Sequence, residues 1–222
     1  MGSTSFIGTS PSVLEVSRLV GVVADRDTPV FIHGESGTGK ELVARLIHER
    51  SYRRDGPFIA INAAAIPRDL MESEFFGNEK GSFTGAIGRR QGCFELAHKG
   101  VLFLDEIAEM AVTLQAKLLR TLENGRIRRL GGQEEIELDV RVLVATNSDP
   151  QGAIEENRLH ADLYYRLSVF SYRYHLSGNG GRTFLSSDSF SSTNSTKSTI
   201  PGSSGSEIKP WSCYGNIRGP AT

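Results

Sequence analysis

Short, continuous runs of hydrophobic residues alternate along this chain with segments in which hydrophobic residues recur every three or four positions. The runs predict buried strands and occupy residues 30–32, 58–61, 101–104 and 140–145, the last of which is interrupted by Arg141. The recurring pattern predicts amphipathic helices over residues 12–24, 41–48 and 112–122. Strands without polar alternation are typical of parallel sheets that are covered on both faces. The pattern therefore predicts an α/β fold in which helices flank a parallel sheet.

The pattern is lost in the last quarter of the chain. Residues 177–206 consist largely of Ser, Thr, Gly and Asn and show almost no hydrophobic periodicity. Such a composition buries too little apolar surface to offset the entropy lost on ordering the chain. We therefore expect a folded domain over residues 1–170 and a low-complexity tail over residues 171–222. From residue 175 onward, we expect flexible or poorly packed chain.

Composition and charge exclude several classes of protein. The chain has 222 residues, 38% of them hydrophobic, and a formal net charge of -1, which gives no basic excess for non-specific nucleic-acid binding. Its two cysteines, Cys93 and Cys213, are far apart and do not suggest a disulfide framework. Neither an apolar stretch of membrane-spanning length nor a secretory signal is visible. We therefore expect a cytoplasmic protein that does not interact with membranes.

A glycine-rich segment between the first predicted strand and the next helix is typical of a phosphate-binding loop. This loop comprises Gly34, Glu35, Ser36, Gly37, Thr38, Gly39 and Lys40. Its glycines let backbone N–H groups turn towards phosphate oxygens, and the helix N-terminus adds partial positive charge. Lys40 would reach the terminal phosphates of a nucleotide. The order of strand, loop and helix supports this interpretation, and a chance glycine-rich turn is the alternative.

Two carboxylates end the third predicted strand. Asp105 and Glu106 follow the apolar run of residues 101–104, at the sheet edge where open α/β folds bind ligands. Asp105 is suited to hold Mg²⁺, and Glu106 to polarise an attacking water molecule. Because two carboxylates at a buried strand end repel each other, they favour a cation nearby. An acidic helix N-cap after a core strand is the alternative.

Three segments together resemble one protein family. Glu41 follows the loop lysine, residues 78–86 read NEKGSFTGA, and residues 101–107 read VLFLDEI. From Ile7 to about residue 170, the chain is similar to the central AAA+ domain of bacterial sigma-54-dependent transcription activators, the enhancer-binding proteins. Residues 81–86, here called the GSFTGA loop, correspond to the family's GAFTGA insertion. Few other ATPases carry this insertion, so the resemblance is specific.

The resemblance implies that the GSFTGA loop contacts a partner. In the family, the Phe and Thr of the insertion lie at a loop tip and touch sigma-54 in the closed promoter complex. This assigns the contact to Phe83, Thr84 and Gly85 here. The residues alone leave two alternatives open, because Phe83 is either an exposed contact residue or part of a turn that folds back onto the core.

Further site residues are implied by the resemblance alone. Glu41 replaces the usual Ser or Thr after the loop lysine, which leaves more of the metal binding to Asp105. Asn62 matches the polar residue that restrains the catalytic glutamate, and a polar strand end is the alternative. Asn147, after Thr146, matches the sensor of the γ-phosphate, and a pair that caps a strand is the alternative.

The remaining matched positions lie near the two ends of the domain. Ile7 and Gly8 match the adenine end of the ATP site, and residues 162–167 match the segment that presents arginines across a subunit interface. Arg166 matches the second of these arginines, but His160 replaces the first. Histidine is shorter than arginine and mostly neutral near pH 7. We therefore expect slow hydrolysis wherever it depends on a neighbouring subunit.

The family's helical lid and its helix-turn-helix DNA-binding domain are not visible after residue 170. Residues 177–185 can be encoded by codons that, read two bases further in, spell Arg-Glu-Arg-Arg-Lys-Asp-Ile-Pro-Leu, close to the family's continuation. Residues 215–218 again resemble the lid motif. We therefore expect a frameshifted or truncated lid, and a natural low-complexity linker is the alternative. Reading the coding DNA in all three frames distinguishes the two.

Together, the residues and the resemblance predict a Mg²⁺-dependent ATPase that activates sigma-54 RNA polymerase as a homo-oligomeric ring, a hexamer if intact. A degenerate ATP-binding module with little hydrolysis is one alternative, which His160 and the altered tail favour. Another AAA+ remodelling ATPase is a second alternative, which the GSFTGA loop disfavours. Because no DNA-reading element is visible, promoter choice would depend on another segment or protein.

Overall fold

The computed structural model of the chain describes residues 11–83, 85–168, 171–177 and 182–186. Ile7, Gly8 and Thr84 lie outside these ranges, as does most of the tail for which a frameshift is predicted. The described helices are α1 Pro11–Ala24, α2 Lys40–Glu49, α3 Arg68–Phe76, α4 Cys93–Leu96, α5 Val112–Asn124, α6 Pro150–Glu155 and α7 Ala161–Leu167. The described strands are β1 Val30–Gly34, β2 Phe58–Asn62, β3 Val101–Asp105, β4 Arg126–Ile127, β5 Ile136–Glu137, β6 Arg141–Thr146, β7 Ser171–Ser177 and β8 Arg182–Ser186. Short 3-10 helices occupy Ala63–Ala65 and Ile107–Glu109.

Six strands form one sheet in the order β2-β3-β6-β1-β7-β8. The first five run parallel, and β8 pairs antiparallel with β7. The register places Asn62 beside Asp105 and His33 beside Thr146, so the carboxyl ends of the central strands lie along one edge. The predicted parallel sheet is confirmed, and β1, β2, β3 and β6 overlap the four hydrophobic runs.

Helices cover both faces of the sheet because its strands carry apolar side chains on both. On one face, Ile32 and Phe103 pack with residues of α1 and α2. On the other face, Phe31 and Leu104 pack with residues of α3, α4, α5 and α7. Burying an apolar side chain of this size contributes about 1.5–3 kcal/mol. Within the described residues, no helix has both the length and the apolar character that crossing a membrane requires.

A buried arginine attaches the first helix to the sheet. Arg141, at the start of β6, donates hydrogen bonds to the carbonyl oxygens of Val23 at 2.7 Å, Ala24 at 3.1 Å and Thr28 at 3.2 Å. The last carbonyls of α1 have no donor within the helix, and the negative end of the helix dipole favours a cation. Burial lowers the pKa of Arg141 to about 10. The side chain is therefore still charged at neutral pH and fixes α1 against β6.

An antiparallel ribbon was not visible in the hydrophobic pattern. It consists of β4 and β5, and Arg126 pairs with Glu137 and Ile127 with Ile136. Strands of two residues are too short to give a measurable period. The ribbon follows α5, and the segment between its two strands contains Arg128 and Arg129, which are described below.

The sheet also extends beyond residue 170. β7 pairs with β1, and β8 pairs with β7, so residues 171–177 and 182–186 form strands that the hydrophobic pattern did not predict, while the expectation of poor packing from residue 175 onward stays a prediction. The composition of the tail obscured an alternation of Tyr172, Tyr174 and Leu176 that is typical of a strand. Pairing with β1 supplies backbone hydrogen bonds whatever the side chains are. The division of the chain at residue 170 therefore stays a prediction.

Candidate functional site

The candidate site lies at the carboxyl edge of the parallel strands. β1 ends at Gly34 and leads into the phosphate-binding loop, β3 ends at Asp105, and β6 ends at Thr146. β6 lies between the other two strands. Three distant parts of the sequence therefore meet at one edge, which is where open α/β sheets bind ligands.

The phosphate-binding loop forms a tight turn before α2. Gly37 and Gly39 have φ values of 78° and 85°, a left-handed conformation that other residues rarely adopt. Thr38 Oγ1 donates to the carbonyl oxygen of Glu35 at 2.8 Å. Glu35, Ser36 and Gly37 are exposed, so the outer side of the turn is open to a ligand.

Lys40 begins α2 and is buried. Its Nζ atom donates to the carbonyl oxygens of Gly34 at 3.0 Å and Glu35 at 3.3 Å. The same atom lies 3.7 Å from Glu106 Oε1. The ammonium group therefore lies between the phosphate-binding loop and the carboxylate, and its flexible stem allows it to exchange these partners for phosphate oxygens.

Glu106 is fixed by contacts from two strands. Its φ of 57° and ψ of 51° are left-handed, an uncommon conformation for a residue with a side chain and one found often at functional sites. The backbone N–H of Asn147 donates to Glu106 Oε2 at 3.0 Å, and the N–H of Glu106 donates to Asp105 Oδ1 at 3.1 Å. The carboxylate is thus oriented by Asn147 on one oxygen and faces Lys40 with the other.

The donors at this edge fit a nucleotide with its Mg²⁺. Within the described ranges, no group of three or more His, Cys, Asp or Glu side chains could hold a metal ion. Mg²⁺ bound to nucleotides commonly uses only one or two carboxylates, together with phosphate oxygens. Asp105 can supply such a carboxylate, and Lys40 with the loop N–H groups can face the phosphates.

Two of the predicted site residues have other partners in this structure. Asn62 Oδ1 accepts a hydrogen bond from the N–H of Ala64 at 2.9 Å, which caps a 3-10 helix. Glu41 Oε1 accepts from Arg45 Nη2 at 2.7 Å on the exposed face of α2. In this conformation Asn62 has the geometry of a polar strand end, so its restraining role stays a prediction.

The segment predicted to reach a neighbouring subunit lies on α7. Arg166 is exposed, and its Nη2 atom donates to the carbonyl oxygen of Leu122 at 3.3 Å. His160 is the N-cap of α7, and its N–H donates to Gln115 Oε1 at 2.8 Å. His160 Nδ1 is buried, has no hydrogen-bond partner among the described residues and lies 3.9 Å from Asp162 Oδ2.

The GSFTGA loop is a closed turn with an accessible aromatic ring. The N–H of Gly81 donates to the carbonyl oxygen of Ala86 at 2.9 Å, and the N–H of Ala86 donates to the carbonyl oxygen of Phe83 at 3.0 Å. The Phe83 side chain is 38% exposed, so it is not part of the core. Ser82 Oγ is buried and has no hydrogen-bond partner among the described residues. Thr84 lies outside them, and Gly85 is exposed with a φ of 109°.

Buried polar groups hold the base of this loop. Arg129 donates to both carboxylate oxygens of Glu95, at 2.7 and 2.5 Å, and to Glu79 at 2.8 Å. Arg129 and Glu95 are almost completely buried, and the hydrogen bond to Glu95 contributes most to raising the pKa of Arg129. Asn78 pairs with Arg90 through two backbone hydrogen bonds of 2.9 and 3.0 Å. Sequence reasoning missed these residues because ion pairs between distant positions leave no local pattern.

Comparison with known proteins identifies relatives over the folded part of the chain. The family described as Sigma-54 interaction domain matches residues 6–173. The response regulator protein PilR of Pseudomonas aeruginosa is 50% identical over 167 residues, which are 75% of this chain and 38% of that protein. The Nif-specific regulatory protein of Azorhizobium caulinodans is 51% identical over 163 residues, 73% of this chain and 26% of that protein. The chain thus spans well under half the length of these curated relatives.

Solved structures agree with the fold. NtrX from Brucella abortus in complex with ADP has a TM-score of 0.71 at 38% identity, over 77% of this chain and 37% of that one. The complex of NtrX with ATP has a TM-score of 0.70 at 38% identity and covers 76% of this chain and 36% of that one. The P-loop NTPase domain of a sigma-54 transport activator from E. coli has a TM-score of 0.51 at 19% identity and covers 75% of this chain and 96% of that one. At this identity, the similarity supports the fold alone.

Proposed function

The chain belongs to the family of sigma-54 interaction domains, and we propose that it is the AAA+ ATPase domain of a sigma-54-dependent transcription activator. In this proposal, ATP hydrolysis is coupled to contact between the GSFTGA loop and sigma-54 RNA polymerase. The observation that carries it is the meeting of Lys40, Glu106 and Asn147 at one strand edge, in a chain that also exposes Phe83 on an inserted loop.

The chemistry of the proposal uses the contacts at the strand edge. Lys40 would leave the carbonyl oxygens of the loop and bind the terminal phosphates as a positive charge. Glu106, held by the N–H of Asn147, would orient the attacking water molecule and accept its proton. Asp105 would hold Mg²⁺, which neutralises charge on the phosphates when it is bound with ATP.

The remaining predicted residues have roles that depend on the state of the site. Asn147 would sense the γ-phosphate, as the family resemblance implies, and its backbone N–H bond to Glu106 would relay that contact to the base. Asn62 would restrain Glu106 in a conformation other than the one described here. Ile7 and Gly8 would contact the adenine. Binding of ADP and ATP by NtrX supports nucleotide binding by the equivalent region of this chain.

Ring assembly would complete each site. Arg166 lies on the surface of α7 and binds only a carbonyl oxygen of its own chain, among the partners described for it. An always-charged guanidinium can stabilise charge that develops on a transferred phosphoryl group. In a closed ring of identical chains, every Arg166 would face the phosphates of a neighbouring subunit. The names of the two relatives, a response regulator and a Nif-specific regulatory protein, support the assignment to a regulatory protein.

A direct test measures ATP hydrolysis by the purified chain as a function of its own concentration. We expect turnover that rises faster than linearly, because neighbouring subunits complete each other's sites. The Lys40→Ala variant serves as the control for contaminating ATPase. Turnover that is negligible at every concentration, alongside measurable ATP binding, would overturn the hydrolysis part of the proposal.

That contrary outcome would support a second candidate function, a binding module that holds ATP without hydrolysing it. The observation that favours this candidate is His160 at the position where the family has an arginine. Its Nδ1 atom has no hydrogen-bond partner among the described residues and lies 3.9 Å from Asp162 Oδ2, and the imidazole ring lacks the forked, permanently charged donors of an arginine.

A further inference from the structure

A buried glutamine connects the segment after Glu106 with the segment that carries His160 and Arg166. Gln115 lies on α5 and is 0% exposed. Its Nε2 atom donates to the carbonyl oxygens of Met110 at 2.9 Å and Arg158 at 2.6 Å, and its Oε1 atom accepts from the N–H of His160 at 2.8 Å. Both amide hydrogens and one acceptor lone pair are therefore used.

The two ends of this connection belong to different parts of the site. Met110 follows the 3-10 helix Ile107–Glu109, which begins directly after Glu106. Arg158 and His160 precede α7, and the carbonyl oxygen of His160 accepts the hydrogen bond from Tyr164 in the first turn of that helix. A shift of the chain after Glu106 would therefore change the hydrogen bonds that fix the start of α7.

A second route joins the same two parts independently. Glu106 accepts from the N–H of Asn147, and Asn147 Oδ1 accepts from the Ser148 hydroxyl at 3.3 Å. The Ser148 hydroxyl in turn accepts from Arg158 Nη1 at 3.4 Å. These bonds are longer and more exposed than those of Gln115, so Gln115 is the stronger of the two connections.

Residues 158–167 are here called the interface segment. We propose that Gln115 is a positioning residue, which fixes the interface segment relative to Glu106 so that its side chains reach the site of a neighbouring subunit in the required orientation. The inference rests on the proposed function, because it assumes that the interface segment acts across a ring. The chemistry explains the residue type, since an apolar side chain would leave three buried or partly buried backbone groups without this partner. A carboxylate would face two carbonyl oxygens without a proton to donate.

The first test does not require activity. In the full chain, Gln115→Met keeps the volume of the side chain and removes its hydrogen bonds. We expect faster hydrogen exchange at residues 161–168 and unchanged exchange at residues 34–47. Gln115 makes no hydrogen bond to the amides of residues 161–168, so a change there would be transmitted through the start of α7. Thr121→Val is the matched control, because it removes a hydroxyl of α5 whose described hydrogen bond, to the carbonyl oxygen of Lys117, lies within the helix. Unchanged exchange at residues 161–168 would overturn the inference.

The second test asks whether the effect acts between subunits. Alone, Gln115→Met should lower kcat on the order of 10–100-fold and leave KM for ATP within about twofold. Glu106→Gln chains have a disabled site but an intact interface segment. Mixing the two variants should restore turnover, because Glu106→Gln chains present a correct segment to the intact sites of their neighbours. No recovery on mixing would overturn the role between subunits.

Two further results keep the outcomes distinct. If Gln115→Met does not fold, Gln115→Asn is used instead, because asparagine keeps the amide group but is too short to reach all three partners. Exchange at residues 161–168 and recovery of turnover on mixing are then judged in the same way. If the unaltered chain hydrolyses no ATP, the proposed function fails. The exchange experiment still decides whether Gln115 positions the interface segment.

Discussion

The phosphate-binding edge and the GSFTGA loop are built in opposite ways. At the edge, Lys40 and Glu106 are buried and are held by contacts from strand ends and the phosphate-binding loop, so both are fixed close to the core. The GSFTGA loop has a buried base, held by Arg129, and a tip on which Phe83 is accessible. This difference fits the proposed function, in which chemistry requires fixed groups and a partner contact requires an accessible one.

The largest expected effect lies at the edge. Glu106→Gln keeps the shape of the side chain and its acceptor for the N–H of Asn147 but removes the base, so we expect turnover to fall by about 10²–10⁴-fold. Nucleotide binding should persist, because Lys40 and the loop are unchanged. Steady-state turnover and equilibrium ATP binding, measured on the same sample, check this. Loss of both together would mean that Glu106 holds the fold rather than performs chemistry.

The base of the GSFTGA loop should be the next most sensitive region. Arg129→Ala leaves the carboxylate of Glu95 buried without its partner, and we expect a loss of about 3–5 kcal/mol in the free energy of unfolding. Arg128→Ala is the matched control, because the Arg128 side chain is 61% exposed and that of Arg129 is 4% exposed. Denaturant titration measures both. Equal losses from the two variants would contradict the distinction between buried and exposed pairs.

A smaller gain is expected at the interface segment. His160→Arg restores a permanent charge at the N-cap of α7, and we expect turnover to rise on the order of tenfold in samples concentrated enough to assemble. His160→Gln supplies the control, since it offers a hydrogen bond without a charge. Turnover assays at matched concentrations compare the three proteins. An arginine variant no faster than the unaltered chain would show that position 160 does not limit hydrolysis.

The smallest effect should have the opposite sign to that of Arg129→Ala. Ser82→Ala removes a buried hydroxyl that has no partner among the described residues, and we expect a gain of about 1 kcal/mol in the free energy of unfolding. Ser36→Ala is the control, because that residue is exposed. Chemical denaturation of both variants gives the comparison. A clear loss of stability in Ser82→Ala would mean that the hydroxyl has a partner in solution.

The sequence predicted those parts of the fold that depend on neighbouring residues. The strands at residues 30–32 and 101–104 were predictable, because continuous apolar runs require cover on both faces of a sheet. The phosphate-binding loop was predictable from the glycines of residues 34–40. The β4–β5 ribbon and the pair of Arg129 and Glu95 depend on contacts between distant residues, which a local pattern does not contain.

Gln115 is an intermediate case. It lies on the same helical stripe as Leu118, Leu119 and Leu122, so a polar residue on an apolar face was visible in the sequence. Its three partners were not visible, because Met110, Arg158 and His160 are brought together only by the packing of α5 against the chain before α7.

The central claim is that ATP hydrolysis and sigma-54 contact reside in the two different regions compared above. It is tested most directly by measuring sigma-54 binding and ATP turnover on the unaltered chain and on Phe83→Ala. Ile87→Ala is the control, because Ile87 follows the GSFTGA loop directly and its side chain is 89% exposed. We predict that Phe83→Ala loses sigma-54 binding and keeps its turnover, while Ile87→Ala keeps both. Sigma-54 binding that persists in Phe83→Ala, or that is absent from the unaltered chain, would contradict the account.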